Sequence, residues 1–267
     1  MTPVFPSSLL SFAGKTVLVT GSSRNLGYTL AAGFAEAGAR VIVHGSHGTV
    51  EQARERLAGL YPQAEVHAAS FDLGDAVAIE RAFSEFSEKG LMPDVLVNNA
   101  AHLGLGESGF LAQTPEHFRE IIEVNLFGAF QCAQLVARHL KEIGRGAIIN
   151  ISSLAGERGI HGRSAYNTSK AALDGLTRSM AQELSGDGVR VNAVVLGYVW
   201  TERWNALSPG DTQRRLLNTP AGAPSSQEEI ARLVLFLASE AAPTLVGARI
   251  VLDGGLNVQQ VPRDVVV

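Results

Sequence analysis

The sequence predicts a single-domain α/β fold over residues 1–267, a doubly wound parallel sheet of about seven strands with helices on both faces. Three observations predict it. Short Val- and Ile-rich runs recur along the chain, helix-length amphipathic segments separate them, and no Pro/Ser linker or charge run divides the series. Alternation of strand and helix implies parallel pairing with right-handed crossovers, because parallel neighbours need a long connection.

Taken in order, the first strand is 15–20 (KTVLVT). Like 40–44, 94–97, 146–151, 189–195 and 248–252, it is continuously apolar rather than alternating, as a strand buried on both faces must be. Residues 65–69 (EVHAA) make a weaker seventh candidate. Helices are expected at 26–38, 50–60, 76–89, 115–143, 164–185 and 227–239, where apolar residues recur at helical spacing. Gly38 fits the end of the first, and Thr114-Pro115 fits N-cap then N1 of the long fourth. The stretch 202–224 departs from the pattern. Pro209, Gly210, Pro220, Gly222 and Pro224 interrupt a short helical pattern there, so it reads as a mobile insertion covering the substrate.

Composition excludes some functions. The 22 Lys and Arg against 26 Asp and Glu give a net charge of −4, and no basic run supports a nucleic-acid partner. The opening MTPVFPSSLLSFAG has neither a basic n-region nor a long apolar run, so no signal peptide or membrane anchor is expected and a cytoplasmic location is. Cys132, the only cysteine, lies in an apolar helical stretch and reads as core. No Cys/His spacing suits a metal.

The residues with chemical content come next. The first strand runs into Thr20-Gly21-Ser22-Ser23-Arg24-Asn25-Leu26-Gly27 and then a helix, a turn whose N–H groups suit a pyrophosphate, although any strand-to-helix turn can need glycine. Tyr166 and Lys170 stand four apart at the start of a helix, on one face. A free phenol ionises near pH 10, and an adjacent ammonium draws that value towards the working range, making Tyr166 a proton donor or acceptor. Ser152 and Ser153 follow the fifth strand. Asn125 sits inside the helix 115–143, where an amide is a mediocre helix former; it is either a packing amide or a functional one.

These motifs resemble the short-chain dehydrogenase/reductase family along nearly the whole chain. The family's TGxxxGxG matches Gly21, Asn25 and Gly27, with Asn25 in place of the middle glycine. Asn is the non-Gly residue that best tolerates left-handed backbone. NNAG matches Asn98-Asn99-Ala100-Ala101, YxxxK matches Tyr166 to Lys170, and PGx[VI]xT matches Leu196 to Thr201 with Leu for Pro. The resemblance implies a Rossmann-type fold and an NADP(H)-dependent oxidoreductase that interconverts a ketone, sugar or 3-oxoacyl carbonyl and a secondary alcohol by hydride transfer. Tyr166 would be the general acid/base, Ser153 would polarise the carbonyl with Ser152 as fallback, Lys170 would also hold the nicotinamide ribose, and Asn125 would hold a water behind Lys170. Cofactor contacts are implied at Gly21, Ser23, Arg24, Asn25, Leu26, Gly27, Ser46, Asp72, Leu73, Asn98, Ala100, Gly197, Val199 and Thr201, besides Tyr166 and Lys170. The C-terminal EEIARLVLFLAS and VGARIVLDGG match elements that usually form part of a homotetramer interface, so a tetramer or dimer is expected.

Charge at the end of the second strand selects the dinucleotide. Val43-His44-Gly45-Ser46-His47 holds no acid to take a ribose 2′-OH, whereas Arg24, Ser46 and His47 can donate to a 2′-phosphate. NADP is therefore expected, with NAD as the alternative if Arg24 is a solvated charge. Asp72 is either the family's adenine-side acid or a turn or N-cap carboxylate. Candidate substrate-pocket residues are His102, Leu103, Leu154, Gly156, Ile160, His161, Tyr198, Trp200, Trp204 and Leu207; they suit a medium-sized carbonyl or alcohol and select none. Arg203, Arg214 and Arg215 either bind an anion or form a solvated helix face. A catalytically silent dinucleotide-binding protein is the alternative function, and the intact Tyr/Lys pair argues against it.

Overall fold

The structure, a computed structural model, describes residues 10–46, 48–104, 109–262 and 264–265. His47, one of the expected phosphate donors, lies outside them. Seven strands form one parallel sheet: β1 (Thr16–Val19), β2 (Arg40–Gly45), β3 (Val66–Ser70), β4 (Val95–Asn98), β5 (Gly146–Ser153), β6 (Val189–Leu196) and β7 (Arg249–Leu252), in the order β3-β2-β1-β4-β5-β6-β7. Each apolar run feeds two cores because successive side chains point to opposite faces. Val17, Val19, Val41, Val43, Val95 and Val97 pack into one core, while Leu18, Ile42 and Leu96 between them pack into the other. The predicted doubly wound sheet is borne out. The weak signal at 65–69 has its reason in position: β3 is an edge strand, half exposed, with few residues to bury.

On one face lie α1 (Asn25–Glu36), α2 (Val50–Leu60) and α8 (Gln227–Ala238); on the other lie α3 (Ala76–Glu88), α5 (Gly128–Ile143) and α6 (Ser164–Leu184), with α4 (Pro115–Ile122) packed against α6 and α7 (Pro209–Leu217) following β6 in the chain. The connection after β1 turns towards β2 and the one leading into β4 returns on the other side. A crevice therefore opens between the C-terminal ends of β1 and β4, the usual place for a ligand in this topology.

Thr114 caps α4 by accepting the His117 N–H, and Pro115 is its first residue, as expected. The expected continuous helix 115–143 is interrupted. Residues Glu123–Phe127 form a π segment between α4 and α5. Two packing demands account for it: the buried Asn125 side chain must reach the loop after β4, and Gly128 must let the Leu73 carbonyl approach where any Cβ would collide.

Within 202–224 the chain makes a 3₁₀ turn, Glu202–Ala206, and then α7, whose start is capped by Ser208 and Pro209. Its two ends are stitched together: the Trp200 N–H donates to Ser225 O and the Ser225 N–H to Tyr198 O, both at 2.9 Å. Trp204 is buried beneath it and donates to Val199 O at 2.8 Å.

Candidate active site

The glycine turn is held by side chains from three strand ends. Thr20 Oγ1 accepts the N–H groups of Asn99 (3.0 Å) and Ala100 (3.1 Å), and Asn99 Nδ2 donates back to Thr20 O at 2.9 Å. His44, buried at the end of β2, accepts the Gly21 N–H on Nδ1 at 3.0 Å. Its proton must then sit on Nε2, which donates to Phe71 O at 3.0 Å. Burial holds this imidazole neutral, pushing it down to about 4 against the opposing pull of the Phe71 bond and of Asp72. Asn25 adopts φ +50°, the one positive φ outside glycine among the described residues, so the turn keeps left-handed geometry without its middle glycine. Arg24, at the N-cap of α1, makes no capping bond and no ion pair among the described residues, and the first turn carries no acid. The opening N–H groups of α1 thus lack a capping side chain.

The second cluster lies at the end of β5 and the start of α6. Lys170 Nζ donates to Ile151 O at 2.8 Å and lies 5.8 Å from the centre of the Tyr166 ring. Ser153 lines the cleft beside Tyr166 and its Oγ accepts the Ala155 N–H at 3.2 Å, whereas Ser152 is buried and donates to Lys170 O at 3.5 Å. Burial raises the Tyr166 phenol, outweighing the pull of the Ser153 hydroxyl and of the Arg163 charge. The lysine is pulled down to about 8 by burial, with Asp174 opposing. The expected lowering of Tyr166 is therefore not found: both groups are dry, and desolvation disfavours each charged form.

Both clusters open into one cleft of about 870 Å³. Gly21, Ser23, Arg24, Asn25, Leu26, Gly27, Ser46, Asp72, Leu73 and Ala100 line one end, and Ser153, Tyr166, Lys170, Gly197, Val199 and Thr201 line the other. A smaller groove of about 400 Å³ follows β3 between α2 and α3; it holds none of these residues, and its rim carries surface ion pairs such as Lys89–Glu85.

Residues 21–257 match the family model described as enoyl-(acyl carrier protein) reductase. Over 242 residues the chain is 36% identical to a 3alpha-hydroxysteroid dehydrogenase of Mediterraneibacter gnavus, covering 90% of this chain and 96% of that one. The chain belongs to the short-chain dehydrogenase/reductase family. Like other members of that family, it is an NAD(P)-dependent oxidoreductase acting on CH–OH and C=O groups. Two solved structures illustrate the likeness. A gluconate 5-dehydrogenase of Burkholderia cenocepacia, in complex with NADP and tartrate, is 31% identical with a TM-score of 0.86, covering 94% of this chain and 98% of that one. A 7 alpha-hydroxysteroid dehydrogenase, complexed with NADH and 7-oxo glycochenodeoxycholic acid, is 30% identical with a TM-score of 0.85, covering 94% and 97%.

The dinucleotide of a short-chain dehydrogenase/reductase fits the residues present. A Cβ on Gly27 would lie 2.6 Å from Asn99 Nδ2, and one on Gly21 would lie 2.9 Å from Ala100 Cα, so the turn is bare backbone by necessity. Bare N–H groups at a helix start, free of acid, suit a pyrophosphate.

Two expected site residues lie outside the cleft lining. Asn98 points into the interior, donating to Ala129 O (3.2 Å) and Asn150 Oδ1 (2.9 Å), because it closes a fully buried strand; the bracing of the turn falls to Asn99. Asn125 is consumed by protein: Oδ1 accepts the His102 N–H at 2.6 Å, and Nδ2 donates to His102 O (2.9 Å) and Ser169 Oγ (3.0 Å). Its side chain pins the loop after β4 and ties it to Ser169. Asp72 accepts the Gly74 N–H at 2.9 Å while lining the cleft, and the N-cap of α3 is Asp75. Among the candidate pocket residues, His102, Leu103 and Arg203 line the cleft; Leu154, Gly156, Ile160, His161, Tyr198, Trp200, Trp204 and Leu207 do not. Trp204 is structural, stacked on Trp200, and Arg215 lies over Tyr198 and Trp204 rather than over the cleft. Cys132 is buried and its thiol is pushed up to about 12, so it is inert core.

Sequence reasoning passed over Thr20, His44, Asn99 and Ser169. A histidine closing an otherwise apolar strand was the available signal for His44. Ser169 lies between Tyr166 and Lys170 in sequence, and only the helix register reveals that it faces Asn125.

Proposed function

We propose that the chain is an NADP(H)-dependent reductase and dehydrogenase of small carbonyl and secondary alcohol substrates, with Tyr166 as general acid/base. The observation that carries this reading is the continuity of one cleft from the Arg24–Ser46 end to Ser153, Tyr166 and Lys170. When bound, the nicotinamide cofactor supplies or accepts the hydride. The protein's part is position, charge and the proton. Ser153 donates to the substrate oxygen and fixes its place beside Tyr166. The phenol gives its proton to that oxygen during reduction and takes it back during oxidation. Lys170 provides positive charge while the proton is away, and donors fixed in a dry site act without reorganising. Asn125 keeps the His102 loop and Ser169 in register with this group.

Preference for NADP is read from charge. The end of β2 offers no carboxylate, and Arg24 and Ser46 are exposed on the cleft wall with no competing partner among the described residues. Such an arginine suits a 2′-phosphate and would leave a free 2′-OH little bound. Homo-oligomerisation is supported by Phe236 on α8 and Val251 on β7, which stand 41% and 37% exposed on the two C-terminal elements. Light scattering would report the mass.

The test is a pair of variants. Arg24→Ala should weaken NADPH by about 10- to 100-fold, the worth of a charge-assisted hydrogen bond, and move NADH little. Equal weakening of both would end the phosphate argument. Tyr166→Phe should cut turnover by about 10²–10⁴-fold with cofactor affinity nearly unchanged. A variant retaining near-normal rates would remove Tyr166 from the reaction.

A further inference from the structure

The Tyr166–Lys170 pair leaves one buried acid on the same helix without a role. Asp174 follows Lys170 by one turn of α6, on the same face, and both are buried. Its Oδ2 accepts from Arg249 Nε of β7 at 2.8 Å, and Arg249 also pairs with Glu157, just past the Leu154–Gly156 turn. Oδ1 is buried without a hydrogen-bond partner among the described residues. A dry carboxylate oxygen lacking a donor is costly to keep, and Arg249, from a strand far along the chain, holds it in place. Sign alternates through the four groups: Lys170, Asp174, Arg249, Glu157.

We propose that Asp174, clamped by Arg249, is a positioning residue: the buried counter-charge that keeps Lys170 an ammonium beside Tyr166. The inference deepens the function proposed above and rests on it. Lys170 Nζ has one hydrogen-bond partner among the described residues, the Ile151 carbonyl, which carries no formal charge. Burial leaves the lysine little above neutrality, and Asp174 is the group that opposes the fall. Tyr166 is held up by its own burial, with Ser153 and Arg163 opposing, and an ammonium at Lys170 adds to what stabilises a phenolate there. The groups acting on this pair are few. From α6 they are Tyr166 and Asp174, with Arg163 at the helix start; β5 offers Ile151 O and the Ser152 and Ser153 hydroxyls. The π segment offers the Asn125 amide through Ser169, and β7 offers Arg249 with Glu157 behind it.

The protonation of Lys170 can be read without turnover. The chain has four lysines, so a ¹³Cε NMR titration of the cofactor-free protein, with Lys170→Met for assignment, isolates its midpoint. Asp174→Asn should lower that midpoint by one unit or more, a roughly tenfold smaller ammonium-to-amine ratio above it. The pH profile of alcohol oxidation should shift with it, and Asp174→Glu should restore both. Should Asp174→Asn fail to fold, D174N/R249Q removes the pair without stranding a guanidinium and should show a smaller fall in the same direction, because the nearer anion leaves together with its cation. An unmoved midpoint in either folded variant overturns the proposal while leaving Tyr166 in its role. Near-normal turnover in Tyr166→Phe overturns the underlying reading, and the positioning role with it, whatever the midpoint does.

Discussion

Lowering the pH from 7 to 4 should destabilise the chain by about 3 kcal/mol through His44 alone. Its Nδ1 must stay unprotonated to accept the Gly21 N–H, and its Nε2–H is committed to Phe71 O, so the folded state has no room for a second ring proton. The ordinary value of 6.5 falls to about 4 in the fold. Between those limits the unfolded chain binds a proton that the folded chain refuses, so stability rises with pH across the window and is lost as pH drops from 6.5 towards 4. The gap of two to three units, at about 1.4 kcal/mol each, gives the figure above. The group is almost wholly buried, so salt should alter it little. Urea unfolding of the parent and of His44→Asn, at several pH values between 7 and 4, isolates the effect. The asparagine keeps an acceptor near Nδ1 and does not titrate, so its curve should lack about 3 kcal/mol of the parent's fall. Parallel curves would refute the assignment of His44 as a neutral clamp on the glycine turn.

Three further outcomes are expected. Gly27→Ala should abolish cofactor binding measured by fluorescence while leaving most of the fold, because its Cβ would press on Gly21 O and lie 2.6 Å from Asn99 Nδ2; retained affinity would mean the turn has slack. Asn25→Gly should change stability by less than about 1 kcal/mol, since relief at φ +50° is offset by the freer unfolded glycine, whereas Asn25→Val should cost about 2 kcal/mol in thermal or urea unfolding. Because burial raises Tyr166, alcohol oxidation should speed up as pH rises above neutrality and carbonyl reduction should not; initial rates in both directions across pH 6 to 10 check this.

The sheet was legible because its strands are buried on both faces, which forces continuous apolar runs such as Val17-Leu18-Val19 into the sequence. β3 was faint because an edge strand with an exposed side has no such obligation. The break at Glu123–Phe127 was illegible: its causes, the His102 loop and the Leu73 carbonyl, lie 20 or more residues away in sequence and impose nothing on local helical spacing. The same holds for the site. Motif order located both ends of the cleft, yet could not tell Asn98 from Asn99, since which amide faces the turn depends on where β4 ends.

The tyrosine shows why spacing alone misjudges chemistry. A spacing of four from Tyr166 to Lys170 places an ammonium near a phenol, and by Coulomb's law that should favour phenolate. Burial, however, acts on both partners: it raises the acid and lowers the base, which favours the lysine losing its proton before the tyrosine does. The outcome turns on whatever charge stands behind the lysine, and along α6 that charge is Asp174. On the proposed reading a motif of two residues works as a motif of three, and the third is fixed from β7, about 75 residues further along the chain.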